Sequence, residues 1–442
     1  MNDLLVTLPV SLLWAAFTTL LVRGREGSEQ RDLWLSFMAH QLCAVLLVVI
    51  TVYYYGGGDL TAYFWSGKFI SAKLRADFFD LAPTLFNVIL QREVALPFPG
   101  TMAGTNTGSM QALAGFLCYF LQDSLYAVCM AIAGASFVAK VAVYDVFKQQ
   151  LPDAPRAALR FGCLLVPSSV LWSAGLMKEA IAMLGVSAIL WGGHTLIVRR
   201  RYSPLAMLAV GLGTLTTGLF KGYVLPVLGF AAGVWYLSRA VERRFGHSTV
   251  RIRYLIGAVA LAAATLLATS VALPQFAPGM IEEESRNAQQ IGARISGGSN
   301  YELGGASVGE KLPLAVATVF FRPMLFEANN PMIALNALEM AWITWLILVA
   351  LFRRRLSGTI SQVVTTPALA FCLAFVLIMA VGVGLTTTNL GTLSRYRMPL
   401  MVFYVVLLVS LAAKPKRAAV PQPTLRPLPH GAWPATDPAG RS

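Results

Sequence analysis

Apolar residues run through this chain in uninterrupted stretches of about 18–22, divided by short basic segments, from one end to the other. A helix rising about 1.5 Å per residue needs roughly 20 residues to cross a ~30 Å hydrocarbon layer. A soluble core needs no such length in one piece. Residues 4–22, 33–55, 124–147, 157–173, 179–198, 203–220, 222–240, 254–273, 333–352, 365–385 and 398–413 therefore predict transmembrane helices. The expected fold class is an all-α polytopic membrane protein with about 11 transmembrane helices.

Basic residues collect at alternate turns between these runs. The clusters are Arg23, Arg25 and Arg31; Lys148, Arg156 and Arg160; Arg199, Arg200 and Arg201; Arg239, Arg243, Arg244, Arg251 and Arg253; Arg353, Arg354 and Arg355; and Lys414, Lys416 and Arg417. With the N-terminus outside, all of them fall on the cytoplasmic face, and so does the C-terminus. Residues 1–22 have no basic leading region, carry Asp3, and precede their positive cluster. They read as a first span and not as a cleaved signal.

Two long loops, 56–123 and 274–331, then lie outside. In the first, Ile70, Leu74, Phe78, Leu81, Leu85 and Val88 recur at helical spacing, with Lys73, Asp77 and Asp80 away from the stripe. That predicts an amphipathic helix over 68–93 resting on the outer membrane surface and interrupted at Pro83. Residues 112–121 are apolar but too short to span, and read as re-entrant. In the second loop, 292–309 is rich in Gly, Ser and Asn and reads as mobile without a ligand. Residues 1–413 thus form one transmembrane helical domain. Residues 414–442, Pro- and Ala-rich without periodicity, read as a disordered cytoplasmic tail.

Composition agrees with the pattern: 56% of residues are hydrophobic and 13% charged, about half the ~25% charged content of soluble domains. The net charge of +14 comes from the span-flanking clusters, and no basic stripe on a soluble domain points to nucleic acid. The 5 cysteines have no paired spacing, and the 4 histidines form no pair that would build a metal site. No phosphate-binding glycine loop, dinucleotide fingerprint or soluble-hydrolase motif is present.

Candidate chemistry sits at the outer turns. Gly56-Gly57-Gly58-Asp59-Leu60-Thr61-Ala62-Tyr63 follows the second span directly. Asp59 at the bilayer edge suits a general base or a ligand to a metal; equally, it suits a cap on the following helix. Lys178 and Glu179 form an ionic pair in sequence, and Lys178 on the outer side opposes the charge bias of the chain, unless it only snorkels to the interface. Lys221 sits at another outer turn. Arg322 and Glu327 interrupt an aromatic stretch, either as a structural pair or as a phosphate grip. Glu339 lies inside the next span and is expected to face a protein-lined cavity. Arg395, Tyr396 and Arg397 stand at the mouth of the last span, and a guanidinium donates two parallel bonds to phosphate.

In their order along the chain, Gly58-Asp59 with Tyr63, the 167–179 segment from Pro167 to Glu179, Phe321-Arg322-Pro323 with Glu327, and Ser394 to Pro399 carry a resemblance. They resemble GT-C-type membrane glycosyltransferases, and bacterial membrane proteins encoded with exopolysaccharide and O-antigen genes. The resemblance implies a GT-C-like bundle in the bacterial inner membrane, working as a glycosyltransferase or polysaccharide polymerase. A polyprenyl-phosphate-linked sugar or oligosaccharide is the implied substrate, with membrane lipid and other polysaccharide-assembly proteins as partners. It gives Asp59 and Tyr63 the catalytic role. Lys178, Glu179, Arg322, Glu327, Arg395, Tyr396 and Arg397 would hold the phosphate and substrate. A divalent metal at Asp59 is the one cofactor it leaves open, because the loop reads Gly-Asp-Leu where the family has a second acid nearby. Two other readings use the same residues: a lipid-linked oligosaccharide flippase, and a non-catalytic component of the assembly machinery.

Overall fold

The computed structural model describes residues 2–245, 300–301 and 308–413. Among them the chain is helical, with no strand and one isolated antiparallel bridge between Asn300 and Asn389. Among the described residues, eight helices are long and apolar enough to cross a membrane, or nine when one pair bent by 70° counts as a single span. The architecture is that of a multi-pass helical membrane protein.

The chain opens with α1 (Asn2–Val22) and α2 (Gly27–Val49), the latter extended by a π turn, Ile50–Tyr54. Three shorter helices follow, α3 (Asp59–Ala76), α4 (Phe78–Ile89) and α5 (Asn106–Phe120), and then the long α6 (Leu125–Gln150). Next come α7 (Arg156–Leu164), α8 (Pro167–Trp172) and α9 (Lys178–Gly193), which ends in a second π turn, His194–Val198. α10 (Pro204–Lys221) and α11 (Val224–Phe245) complete the first stretch. After 308 come α12 (Val308–Phe321), α13 (Pro331–Thr365), α14 (Pro367–Thr386), α15 (Leu390–Tyr396) and α16 (Met398–Ala412).

Burial sorts these helices into a centre and a rim. Every residue of α16 is buried, and α14 is apolar on all sides; a helix without a polar face belongs in the middle of a bundle. α1 does the opposite: Leu4, Leu5, Leu12 and Leu13 are each more than 60% exposed. Leaving one leucine in water costs about 1.5–3 kcal/mol, so a face built from them belongs against lipid. α9 and α10 pack closest. A β-carbon on Gly185 would lie 2.7 Å from the Gly213 carbonyl, and one on Gly213 would meet the Gly185 carbonyl at 2.7 Å. Small residues let backbones approach this way where lipid supplies no hydrophobic drive between helices.

The bundle has two chemically distinct ends. At one, Arg25 binds both oxygens of Asp145 at 2.8 Å and Glu29 at 2.7 Å, Lys148 reaches Glu29 at 2.6 Å, and Arg160 holds Asp32 at 2.6 Å. Arg353 and Arg354 donate to the last carbonyls of α16 at 2.6–2.7 Å, where a helix end is electronegative. The sequence's basic clusters supply all of these cations. The opposite end holds Asp59, Lys178, Lys221 and Arg395.

Three expectations change. The stretch 157–173 is not one helix but α7 and α8, separated at Leu165 and Val166. Pro167 disfavours helix at the residue before it and has no N–H to continue the ladder. The chain still passes from the basic end, where Arg156 donates to the Lys148 carbonyl, to the opposite end at Lys178. The helix expected over 68–93 breaks at Asp77, whose carboxylate caps α4 by accepting from the Asp80 N–H, and runs through Pro83. Its apolar stripe meets protein: Ile70, Leu74, Leu81, Leu85 and Val88 are buried together with Ala112 of α5. Residues 112–121, expected to be re-entrant, belong mostly to α5, which lies along α3. The span at 254–273, the loop stretch 292–309 apart from 300–301 and 308–309, and the tail from 414 lie outside the described residues.

Candidate functional site

Asp59 is placed by the glycines before it. Gly56, Gly57 and Gly58 have φ of 70°, 144° and 157°, values that L side chains resist. The turn they make redirects the chain from α2 into α3. Thr61 Oγ1 fixes the start of α3 by donating to the Gly58 carbonyl at 2.8 Å and accepting from its N–H at 2.9 Å. Asp59 is the first residue of α3, one position past the cap, and its carboxylate is half exposed. It therefore does not cap α3. It pairs with Arg395 Nη1 at 2.8 Å.

Arg395 links two elements. Its Nε lies 3.4 Å from Glu179 Oε1, an ion pair too poorly aligned to be a hydrogen bond. Glu179, at the start of α9 and 3% exposed, also receives Lys221 Nζ of α10 at 3.1 Å. Lys178 beside it turns outward to α5, donating to Asn106 Oδ1 and Thr107 Oγ1 at 2.8 Å each. Aromatic rings line the group. Lys178 lies over Tyr63 at 5.7 Å, Lys221 over Tyr396 at 4.1 Å and Tyr223 at 5.6 Å, and Arg395 over Tyr396 at 5.1 Å. Ring faces attract cations at such distances. Burial first, then the Asp59 and Glu179 carboxylates, push the Tyr63 phenol well above its ordinary range, so it stays a hydrogen-bond donor.

Three cations (Lys178, Lys221, Arg395) thus face two carboxylates (Asp59, Glu179), a local balance of one positive charge. The charged side chains come from four separate elements, α3, α9, α10 and α15, and α5 supplies the neutral partners of Lys178. Arg395 is the hub.

Arg322, Glu327 and Arg397, grouped with these residues by the sequence, lie elsewhere. The helix bends by 70° between α15 and α16, and Arg397 at the bend points inward. It is fully buried and donates to the carbonyls of Val319 at 3.2 Å and Arg322 at 2.7 Å. Arg322 pairs with Glu327, Nε to Oε1 at 2.7 Å, and stacks over Tyr301 at 4.5 Å. Glu327 Oε2 accepts from the Met324 N–H at 2.8 Å. Burial works against the Glu327 anion, but Arg322 and that N–H outweigh it and hold the carboxyl below its ordinary range. These groups brace the turn before α13. Glu339 is buried, as its place in a span requires, with its two oxygens held by the Ser168 N–H at 2.7 Å and Oγ at 2.6 Å.

The sequence offers Lys221 only as a cation at a turn, and it does not single out Tyr223, Asn106 or Thr107. Their partners are remote in the chain; the only available signal was a cation at an outer turn followed by an aromatic. A divalent metal does not fit at Asp59, since cations already engage both carboxylates. Among the described residues no group of three or more His, Cys, Asp or Glu comes together. Comparisons with protein-family models, curated proteins and solved structures return no match for this chain.

Proposed function

We propose that the protein is a GT-C-like membrane glycosyltransferase or polysaccharide polymerase. It would act on a polyprenyl-phosphate-linked sugar at the outer face of a bacterial inner membrane during cell-surface polysaccharide assembly. One observation carries this reading: Arg395 is held between Asp59 and Glu179, with Lys178 and Lys221 beside it, at the end of an apolar bundle. A cationic, ring-lined cluster at the edge of lipid suits a substrate with a phosphate head and an apolar tail. The reading includes about eleven crossings with the N-terminus outside, α7 and α8 together making one of them.

In this mechanism the substrate phosphate takes the place of Asp59 on Arg395, and Lys178 and Lys221 share its charge. Asp59, released from its ion pair, is then free to accept a proton. The acceptor hydroxyl oxygen bonds to the sugar's anomeric carbon while the bond from that carbon to the phosphate oxygen breaks. The hydroxyl proton passes to Asp59, and the polyprenyl phosphate or diphosphate leaves as the anion. Tyr63, kept protonated, donates a hydrogen bond that orients the acceptor.

Asp59→Asn and Arg395→Ala test this in cells, at membrane abundance matched to the unaltered protein. Both should lose surface polysaccharide and accumulate lipid-linked intermediates. Normal polysaccharide in both strains would sink the assignment. A flippase is the second reading, favoured by Lys140, Glu339 and Arg397 buried inside the bundle, where a carrier places its charges. Reconstituted vesicles separate the two, since a flippase moves the lipid-linked glycan without altering it.

A further inference from the structure

At the basic end, away from the cluster just described, α9, α10, α11 and α14 enclose a groove of about 290 Å³. Its walls are apolar: Ile197, Val210, Leu228 and Phe371 are among the residues that form them. Its rim is not. Arg200, Arg239 and Arg243 line the same groove. Arg239 donates to Gln150 Oε1 at 2.8 Å, with Glu242 of its own helix within electrostatic reach. Among the described residues no carboxylate pairs with Arg200 or Arg243.

We propose that this groove binds one anionic phospholipid from the leaflet bordering the basic end. An acyl chain lies along the apolar walls, and the headgroup phosphate sits among Arg200, Arg239 and Arg243. A basic rim selects an anionic head over a zwitterionic one, and each arginine near a membrane surface adds to that preference. The site requires neither the transferase nor the flippase reading of the opposite end.

The test uses the purified full-length protein in a mild detergent. Its thermal midpoint and lipid affinity are measured with phosphatidylglycerol, with phosphatidylcholine of the same chains, and with inorganic phosphate alone. Phosphatidylglycerol should raise the midpoint, and the other two should leave it unchanged. The double variant Arg239→Gln/Arg243→Gln should bind phosphatidylglycerol about 30-fold more weakly. Equal stabilisation by phosphatidylcholine or by phosphate would overturn the proposal. So would a groove filled by other residues of this chain, seen as variants with lowered midpoints while phosphatidylglycerol leaves the unaltered protein unchanged. The lipid preference of the unaltered protein stands as a test even if a variant fails to fold.

Discussion

Neutralising Glu179 should destabilise the protein more than neutralising Asp59, the other acid of the Arg395 cluster, and removing Lys221 as well should restore much of the loss. Glu179 Oε1 lies 3.1 Å from Lys221 Nζ and 3.4 Å from Arg395 Nε, and the side chain is 4% exposed. At those separations each pair has about 5 kcal/mol of Coulomb attraction at an effective dielectric constant near 20. Dehydration of the three charges offsets most of it. What a single substitution exposes is the cost of stranding the partners, about 3–5 kcal/mol for a buried pair. Glu179→Gln keeps the shape and strands Lys221 against α9. Glu179→Gln/Lys221→Met removes both charges, and the two effects should couple by about 0.5–3 kcal/mol. Asp59→Asn, at a half-exposed carboxylate, should change stability by less than about 1 kcal/mol. The assay is thermal unfolding in detergent followed by circular dichroism, comparing midpoints of the single and double variants. A Glu179→Gln midpoint equal to that of the unaltered protein, or a double variant that falls as far as the two singles added together, would refute the reasoning.

Other expectations follow from the same geometry. Gly185→Leu should sharply reduce the folded yield, because even a β-carbon there meets the Gly213 carbonyl at 2.7 Å; monodisperse protein on size exclusion is the readout. Arg397→Met should detach the turn at 322 from the last helix pair, seen as faster proteolysis between 308 and 331, while leaving the Asp59–Arg395 contact in place; unchanged cleavage would count against the bracing role. The Arg322–Glu327 pair carries a pH dependence. A carboxyl whose folded pKa is lowered stabilises fully above its unfolded value, near 4.3, and loses that contribution as pH falls through the lower folded value. Glu327→Gln should therefore lower the thermal midpoint at pH 7, with the gap narrowing below about pH 4; a gap independent of pH would contradict it.

The long apolar helices were legible because length and apolarity are local properties of the sequence. The basic turns were legible for the same reason: Arg25, Lys148, Arg160 and Arg353 gather at one end. What the sequence left hidden depended on partners. An apolar stripe such as Ile70, Leu74 and Leu81 is the same whether it faces lipid or α5. Likewise the 157–173 run is apolar enough to be one helix, but its buried position lets it bend at Val166, where Ser168 meets Glu339. Arg395 and Arg397 read as one pair of claws around Tyr396. Two positions apart on a helix means roughly opposite faces, and the bend before Met398 completes the separation. Lys221 joins Arg395 only through Glu179, across a separation in sequence that no local pattern reports.

The close contact of α9 and α10 also bears on traffic. A seam too narrow for a methyl group at Gly185 or Gly213 is closed to a polyprenyl chain. On that side the Arg395 cluster is walled by a helix pair whose tightness is set by two missing side chains.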